Sequence, residues 1–352
     1  MTAPDSDRPV LITGGAGFIG ANLADRLAAE GHRVIVYDSL ARPGVEDNLF
    51  WLTRRHPEAV QPVIAALADR PMLRDCVNAS KAVFHLAAQV AVTTSLDDPR
   101  QDFEVNLLGT VDLLELLRAH ADDVPLVFAS TNKVYGDLAD VDLELTKEGY
   151  RPVDSSLASA GVDERRPLDF HTPYGCSKGA ADQYVLDYAR SFALPAAVLR
   201  MSCIYGPLQR GTEDQGWVAH FALRALAGDP IMLYGDGHQV RDILEVSDAV
   251  AAYIAAWQRI DRISGRAFNL GGGPDNAVSL RRLIAHIEAL VGHPVPVREA
   301  EWRAGDQRYF VADALAARTA LELPAPTGWR QGVANLVHWL AAARETLREE
   351  AA

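Results

Sequence analysis

"PVLITGGAGFIGANLADRLAAEGHRVIVYD", residues 9–38, decides the fold. "PVLIT" is a short, apolar, β-rich run and reads as a strand. "GGAGFIG" follows it, and "ANLADRLAAEG" carries helical periodicity up to a stop at Gly31. "HRVIVYD" is the next strand, ending at Asp38. Within the turn, Gly14, Gly17 and Gly20 recur at every third position. Glycines so placed let the backbone bend tightly and approach a pyrophosphate, which sits at the helix N-terminus beside Phe18 and Ile19. Asp38 lies 24 residues beyond Gly14 (38 minus 14), a spacing that suits an acid on a ribose 2′-hydroxyl. A carboxylate there repels a 2′-phosphate, so the expected cofactor is NAD rather than NADP.

The same rhythm continues outward. "KAVFHLAA", "VPLVFAS", "LPAAVLRMS" and "GRAFNLGGG" are further apolar strands, with helical stretches such as "GTVDLLELLRAHA" and "SKGAADQYVLDYARSFA" between most of them. Strands alternating with helices predict an α/β fold, a Rossmann-type doubly wound parallel sheet. Residues 1–200 form the expected dinucleotide-binding domain, with a return segment at about 238–271. Residues 201–352 form mainly a smaller C-terminal substrate lobe. Residues 137–173 are polar and interrupt the rhythm, so they read as a long loop-like insertion of functional interest.

Composition narrows the function classes. The chain has 352 residues, too many for one simple core, with 49% apolar and 23% charged residues, as in ordinary globular proteins. A net charge of -13 argues against nucleic acid and anionic membrane as partners. Cys76, Cys176 and Cys203 are scattered and odd in number. They make neither a disulfide framework nor a metal-spacing motif, and no metal is expected. The start, "MTAPDSDRPV", has no signal-type apolar core, so the expected location is the cytoplasm.

Two further motifs carry chemistry. In Tyr174-Gly-Cys-Ser-Lys178 the spacing of four puts phenol and ammonium on one helix face. The lysine can then stabilise a phenolate and make Tyr174 a base near neutral pH. In "ASTNKVYGD", residues 129–137, Thr131 ends the strand that precedes the tyrosine helix. Polar groups at such strand ends are where open α/β sheets bind their ligands. Its hydroxyl can share a substrate oxygen with Tyr174.

Taken together, these motifs resemble the extended short-chain dehydrogenase/reductases that modify nucleotide sugars, over nearly the whole chain. The resemblance implies that Thr131, Tyr174 and Lys178 remove a sugar hydroxyl proton as hydride passes to NAD. It implies that Leu86, Ala87 and Ala88 of the "HLAA" stretch, with Asn106, Ser130, Tyr174 and Lys178, lie along the cofactor. In the second lobe, "QVRDILEVSD" and "RAGDQRYFVAD" resemble family segments that hold the substrate's diphosphate and ribose, which implies Arg241, Arg303 and Asp306. An acidic protein that binds a diphosphate needs placed arginines in any case. "DQGWV" puts Gln215 and Trp217 near substrate, and Cys203 falls where related epimerases place a small polar residue by the sugar. One position departs from the family: Leu67 stands where many relatives have an acid on adenine, and Asp69 is out of register.

The reaction follows from what is missing. Family members that eliminate water carry Asp-Glu directly after the threonine, and Asn132-Lys133 stand there instead. Decarboxylation lacks its glutamate. The expectation is epimerisation: oxidation, presentation of the other sugar face, and return of the hydride. "DNLFWL", "HLAAQVAVTTSLDDP", "STNKVYGDL", "LDFHTPYGCSKGAADQYVLDYAR" and "DQGWV" resemble a subfamily acting at C2 of CDP-linked deoxyhexoses, with tightly held NAD and a homodimer or homotetramer. A C4 epimerase of a UDP-hexose or uronic acid, another nucleotide-sugar enzyme of the family, and a dinucleotide-binding sensor stand as alternatives.

Overall fold

The computed structural model describes residues 7–119, 123–303 and 305–350, the last six of these by backbone alone. Residues 1–6, most of the stretch read for a leader, lie outside the described part, as do His120 and Ala121 of one expected helix.

The main sheet has seven strands, numbered here in chain order: β1 (Val10–Thr13), β2 (Val34–Asp38), β3 (Val60–Ile64), β4 (Ala82–His85), β5 (Leu126–Thr131), β6 (Ala196–Met201) and β7 (Ala267–Leu270). Across the sheet they run β7-β6-β5-β4-β1-β2-β3. Every pairing is parallel. Helices cover both faces, so both sides of each inner strand are apolar. Val10 and Ile12 of β1 enter a core with the helix Phe18–Ala29, while Leu11 enters the opposite core with Leu113 and Val185. Strand order reverses between β1 and β4, and a crevice opens at their C-terminal ends there, the expected place for a ligand. Thr13 pairs with His85 and Thr131 with Met201, so these residues sit together on one rim.

Three features depart from or refine the expectations. β3 contains Pro62, and it is an edge strand paired only with β2, where the missing N–H costs no ladder bond. Residues 137–173 are not a plain loop. They hold an antiparallel hairpin, Leu143–Thr146 with Gly149–Pro152, and a short helix, Ser155–Ala160. Val162 bridges to Ala312, and Leu138 and Val162 pack with Tyr135 and Phe310. The insertion therefore clasps the C-terminal lobe. Within residues 238–271 the chain divides. The strand Val240–Glu245 joins a smaller sheet with Cys203–Tyr205, Ala277–Ser279 and Tyr309–Phe310, whereas the helix Val246–Gln258 and β7 return to the main sheet. A separate core under the helices Trp217–Ala227, Leu280–Val291 and Trp329–Glu350 supports that smaller sheet.

Candidate active site

The glycine turn is built by close approach. Gly14 has φ +71°, and a Cβ there would stand 2.6 Å from Ala87 N. A Cβ on Gly20 would stand 2.3 Å from Gly14 O, so this glycine lets helix and strand meet. Gly17 differs: its Cβ would meet only Gly14 O, at 3.1 Å. It occupies the N-cap of the helix Phe18–Ala29 and supplies no side-chain cap. The first-turn N–H groups, those of Phe18 and Ile19 among them, therefore face the crevice with their partial positive charge, as an anion site requires. Asp38 lies beside this turn. Its carboxylate accepts from Ala16 N at 3.0 Å and from Leu40 N at 2.9 Å. A bare cradle at a helix start, flanked by a carboxylate at the end of β2, fits the pyrophosphate and ribose of a dinucleotide. Leu67 is buried among Tyr37 and Leu113, and Asp69 caps the helix Arg70–Ala79 through Met72 N. Both are occupied within the protein.

The catalytic candidates converge at the end of β5. Thr131 closes that strand and Tyr174 and Lys178 lie on the helix Thr172–Phe192, which packs against β5. The Thr131 side chain neighbours the Tyr174 phenol. Lys178 is buried, its Nζ 4.2 Å from the centre of the Phe128 ring. Burial pushes its pKa down to about 7 against the pull of Asp182 and Asp102. Tyr174 is pushed up to about 12 by burial, with Thr131 opposing. Asp102 adds to that rise, and Lys178 lies one helical turn on, where its ammonium can stabilise a phenolate. The helix begins under tension. Thr172, a β-branched residue, has φ +63°.

Behind this pair stand buried polar groups: Asn106 and Ser130, expected along the cofactor, and Asp102, Asp182, Arg200 and His85, which the sequence reading did not single out as site residues. Asp102 is fully buried and accepts from Ser177 Oγ and from Asn106 Nδ2 at 3.0 Å. Asn106 also bonds the Gln89 backbone in both directions, at 2.8 and 3.1 Å. Its carboxamide thus holds the 86–89 segment in place from behind, and it sits in a π-helical turn, Glu104–Leu108. Ser130 Oγ donates to Asp182 at 2.7 Å, and Asp182 takes two bonds from the buried Arg200, each 2.9 Å. So the Ser130 side chain anchors the tyrosine helix. His85 Nδ1 is 2.6 Å from Thr13 Oγ1 and Nε2 is 3.0 Å from Thr110 Oγ1. Thr110 donates its own proton to Asn106 O, so it must accept from Nε2–H, which sets the tautomer. Burial and Lys178 push the His85 pKa down to about 3. Two signals were available beforehand: Asp182 follows Lys178 by four residues, on the same helix face, and His85 opens the "HLAA" stretch.

The substrate side assembles from distant segments. Arg241 is buried and donates to Asp306 Oδ1 at 2.6 Å and to Gln307 O. Trp217 Nε1–H donates to Cys203 Sγ at 3.5 Å, and burial pushes the Cys203 thiol pKa up, so it stays neutral. Gln215 is half-buried, in the turn closed by Thr212 N on Gln215 O. The Arg303 backbone accepts from Asp306 N at 3.3 Å, but its guanidinium has other partners. That group stacks 3.8 Å from the Tyr234 ring centre and donates to Glu213 O at 2.7 Å. Lys133, read in the sequence only as an absent acid, donates from Nζ to Gly305 O at 2.9 Å.

Comparison with known proteins places this geometry. Residues 10–271 match the model of the NAD dependent epimerase/dehydratase family. The chain is 41% identical over 336 residues to CDP-paratose 2-epimerase of Salmonella typhi, covering 94% of this chain and 98% of that protein. Among solved structures, UDP-glucose 4-epimerase of Thermus thermophilus in complex with NAD shares 32% identity and a TM-score of 0.80, covering 95% of this chain and 99% of that one. UDP-glucose 4-epimerase of Thermotoga maritima, solved with UDP-glucose, shares 28% identity and a TM-score of 0.81, covering 96% and 99%.

Proposed function

The chain belongs to the NAD dependent epimerase/dehydratase family, and from that premise we propose that it is a nucleotide-sugar epimerase inverting C2 of a CDP-linked deoxyhexose. The observation that carries epimerisation is the meeting of Thr131 with Tyr174 and Lys178 at the end of β5, with no carboxylate on the turn Asn132–Tyr135 behind Thr131. Elimination of water needs an acid and a base there, and the turn offers no carboxylate for either role. The choice of C2 and of a CDP sugar is supported by the 41% identity to CDP-paratose 2-epimerase.

NAD, when bound at the glycine cradle, supplies the hydride acceptor and then the donor. The chain's own residues do the rest. Thr131 orients the reacting oxygen. Tyr174 takes the hydroxyl proton as the carbonyl forms and gives it back when the other face is reduced. Lys178 lies one helical turn on, beneath the phenol. Asp38 favours the cofactor without a 2′-phosphate. Arg241 and Asp306 face the diphosphate and ribose, and Trp217, Gln215 and Cys203 border the sugar.

Two accompanying proposals concern the setting. Among the described residues no helix is long and apolar enough to cross a membrane, and Cys76, Cys176 and Cys203 are free, which accords with a reducing cytoplasm. Phe103, Leu108, Tyr184 and Phe192 are exposed on helices that pack together, and we propose that these helices join copies of the chain in a homodimer or homotetramer.

The deciding experiment is a panel of CDP-, UDP-, GDP- and dTDP-sugars incubated with catalytic enzyme and read by proton NMR. Inversion at H2 of a CDP-deoxyhexose is expected. Inversion at H4 of a UDP-sugar would overturn the carbon and substrate assignment, and no turnover of any sugar would overturn epimerisation itself.

A further inference from the structure

Lys133 has no part in the cycle just described, yet its side chain is turned inward. Its backbone N–H donates to Thr131 Oγ1 at 3.2 Å, so one short turn orients both the catalytic hydroxyl and this lysine. Its ammonium donates to Gly305 O at 2.9 Å. Gly305 has φ +71°, and a Cβ there would stand 3.1 Å from Thr172 Cγ2. Gly305 thus lies close to the start of the tyrosine helix. The next residue, Asp306, holds Arg241 at 2.6 Å. From Thr131 the contacts therefore run through Lys133, Gly305 and Asp306 to Arg241. They begin where the proton is removed and end at the guanidinium placed for the diphosphate.

Chemistry adds direction to this path. Burial, and then the nearby Arg241, hold the Lys133 pKa below the ordinary lysine range, with Asp306 and Asp137 opposing. Two cations close together in a recess are held best by an anion with several oxygens. A lysine ammonium has three N–H donors. Gly305 O is its one hydrogen-bond partner among the described residues, so two donors remain. In a nucleotide sugar the diphosphate is bonded to C1. C2 is its neighbour in the ring, whereas C4 lies across the ring. A cation set between the catalytic hydroxyl and the diphosphate seat draws the C1 end of the sugar towards Thr131.

The geometry points to Lys133 as the carbon-selecting residue: its ammonium grips the sugar-proximal phosphate and so holds the C1–C2 edge, not the C4 edge, against Thr131 and Tyr174. This rests on the C2 reading above for the identity of the carbon, but the phosphate grip stands or falls by itself. The test uses the full-length, NAD-loaded enzyme and its Lys133→Met and Lys133→Gln variants. Calorimetry with CDP and CMP, and with UDP and UMP in parallel, reads the grip. Loss of the ammonium should weaken diphosphate binding about 10- to 100-fold and monophosphate binding far less. Proton NMR should show the ratio of H2 to H4 inversion falling at least about tenfold, with KM rising more than kcat falls. Variants that keep bound NAD and thermal stability, bind CDP as the parent does and keep its H2 to H4 ratio would overturn the proposal. If Lys133→Met fails to fold, Lys133→Gln, which keeps a donor for Gly305 O, carries the same readings. A parent enzyme that inverts C4 refutes the C2 reading alone; the comparison of CDP with CMP still decides whether Lys133 holds phosphate.

Discussion

Lys178, on the tyrosine helix, and Lys133, on the turn after Thr131, have different surroundings. Lys178 sits on the tyrosine helix over the face of Phe128, with Asp182 four residues on and Asp102 behind it. Lys133 sits on a four-residue turn, bonded to a carbonyl 172 residues away, with Arg241 for a neighbour. The first is a charge closed in by matched acids, set by helix periodicity. The second is a charge left partly unmatched, set by long-range packing. The contrast separates a catalytic side, where protons are managed, from a substrate side, where an anion is awaited.

The sharpest break of this contrast is Tyr174→Phe. On the catalytic side it removes the proton carrier, so kcat should fall by about 10²–10⁴. Retained NAD absorbance and an unchanged melting temperature would show that only the chemistry was lost. Asp182→Ala comes next. It strands the buried Arg200 guanidinium and the Ser130 hydroxyl, and denaturant titration should show a loss of about 3–5 kcal/mol.

The catalytic side should also report its burial through pH. His85 stays neutral in the fold, its pKa pushed down to about 3. In the unfolded chain a histidine takes its proton near 6.5, so the unfolded state binds more protons as pH falls below that value. Stability should drop by about 1.4 kcal/mol per unit, roughly 3 kcal/mol by pH 4. His85→Gln should flatten that portion of the curve; an unchanged slope would mean the loss comes from other groups.

The substrate side should answer in affinity instead. Arg241→Ala should raise KM about 10- to 100-fold with kcat altered less than about tenfold. A pure kcat effect would erase the division between the two sides. The smallest change is expected at the cofactor's edge. Asp38→Asn should relax discrimination against NADP by about tenfold, measured as the ratio of NAD to NADP recovered from enzyme reloaded with both.

How much was legible beforehand follows the same division. Gly14, Gly17, Gly20 and Asp38 were readable because a strand, a turn and a helix fix their relative positions within thirty residues. Tyr174 and Lys178 were readable because helix geometry sets a spacing of four. Asn106 and Ser130 were placed in the right neighbourhood, but their side chains are occupied in holding Gln89 and Asp182, which no local pattern announces. β3 went unlisted because Pro62 reads as a strand breaker unless the strand is known to be an edge. Residues 137–173 read as loop because their apolar partners, Phe310 and Ala312, lie far along the chain.

By itself the sequence determined a dinucleotide cradle, a sheet wound on both faces and a Thr-Tyr-Lys constellation, since short-range backbone geometry and helix periodicity leave those little freedom. Only the tertiary structure decided what the remaining charges do. The pairing of Arg241 with Asp306, the stacking of Arg303 on Tyr234, the neutral state of His85 and the inward turn of Lys133 depend on burial and on partners drawn from distant segments. A charge in a sequence has a residue type and a spacing. Its partner, and therefore its role, exists only once the chain has closed around it.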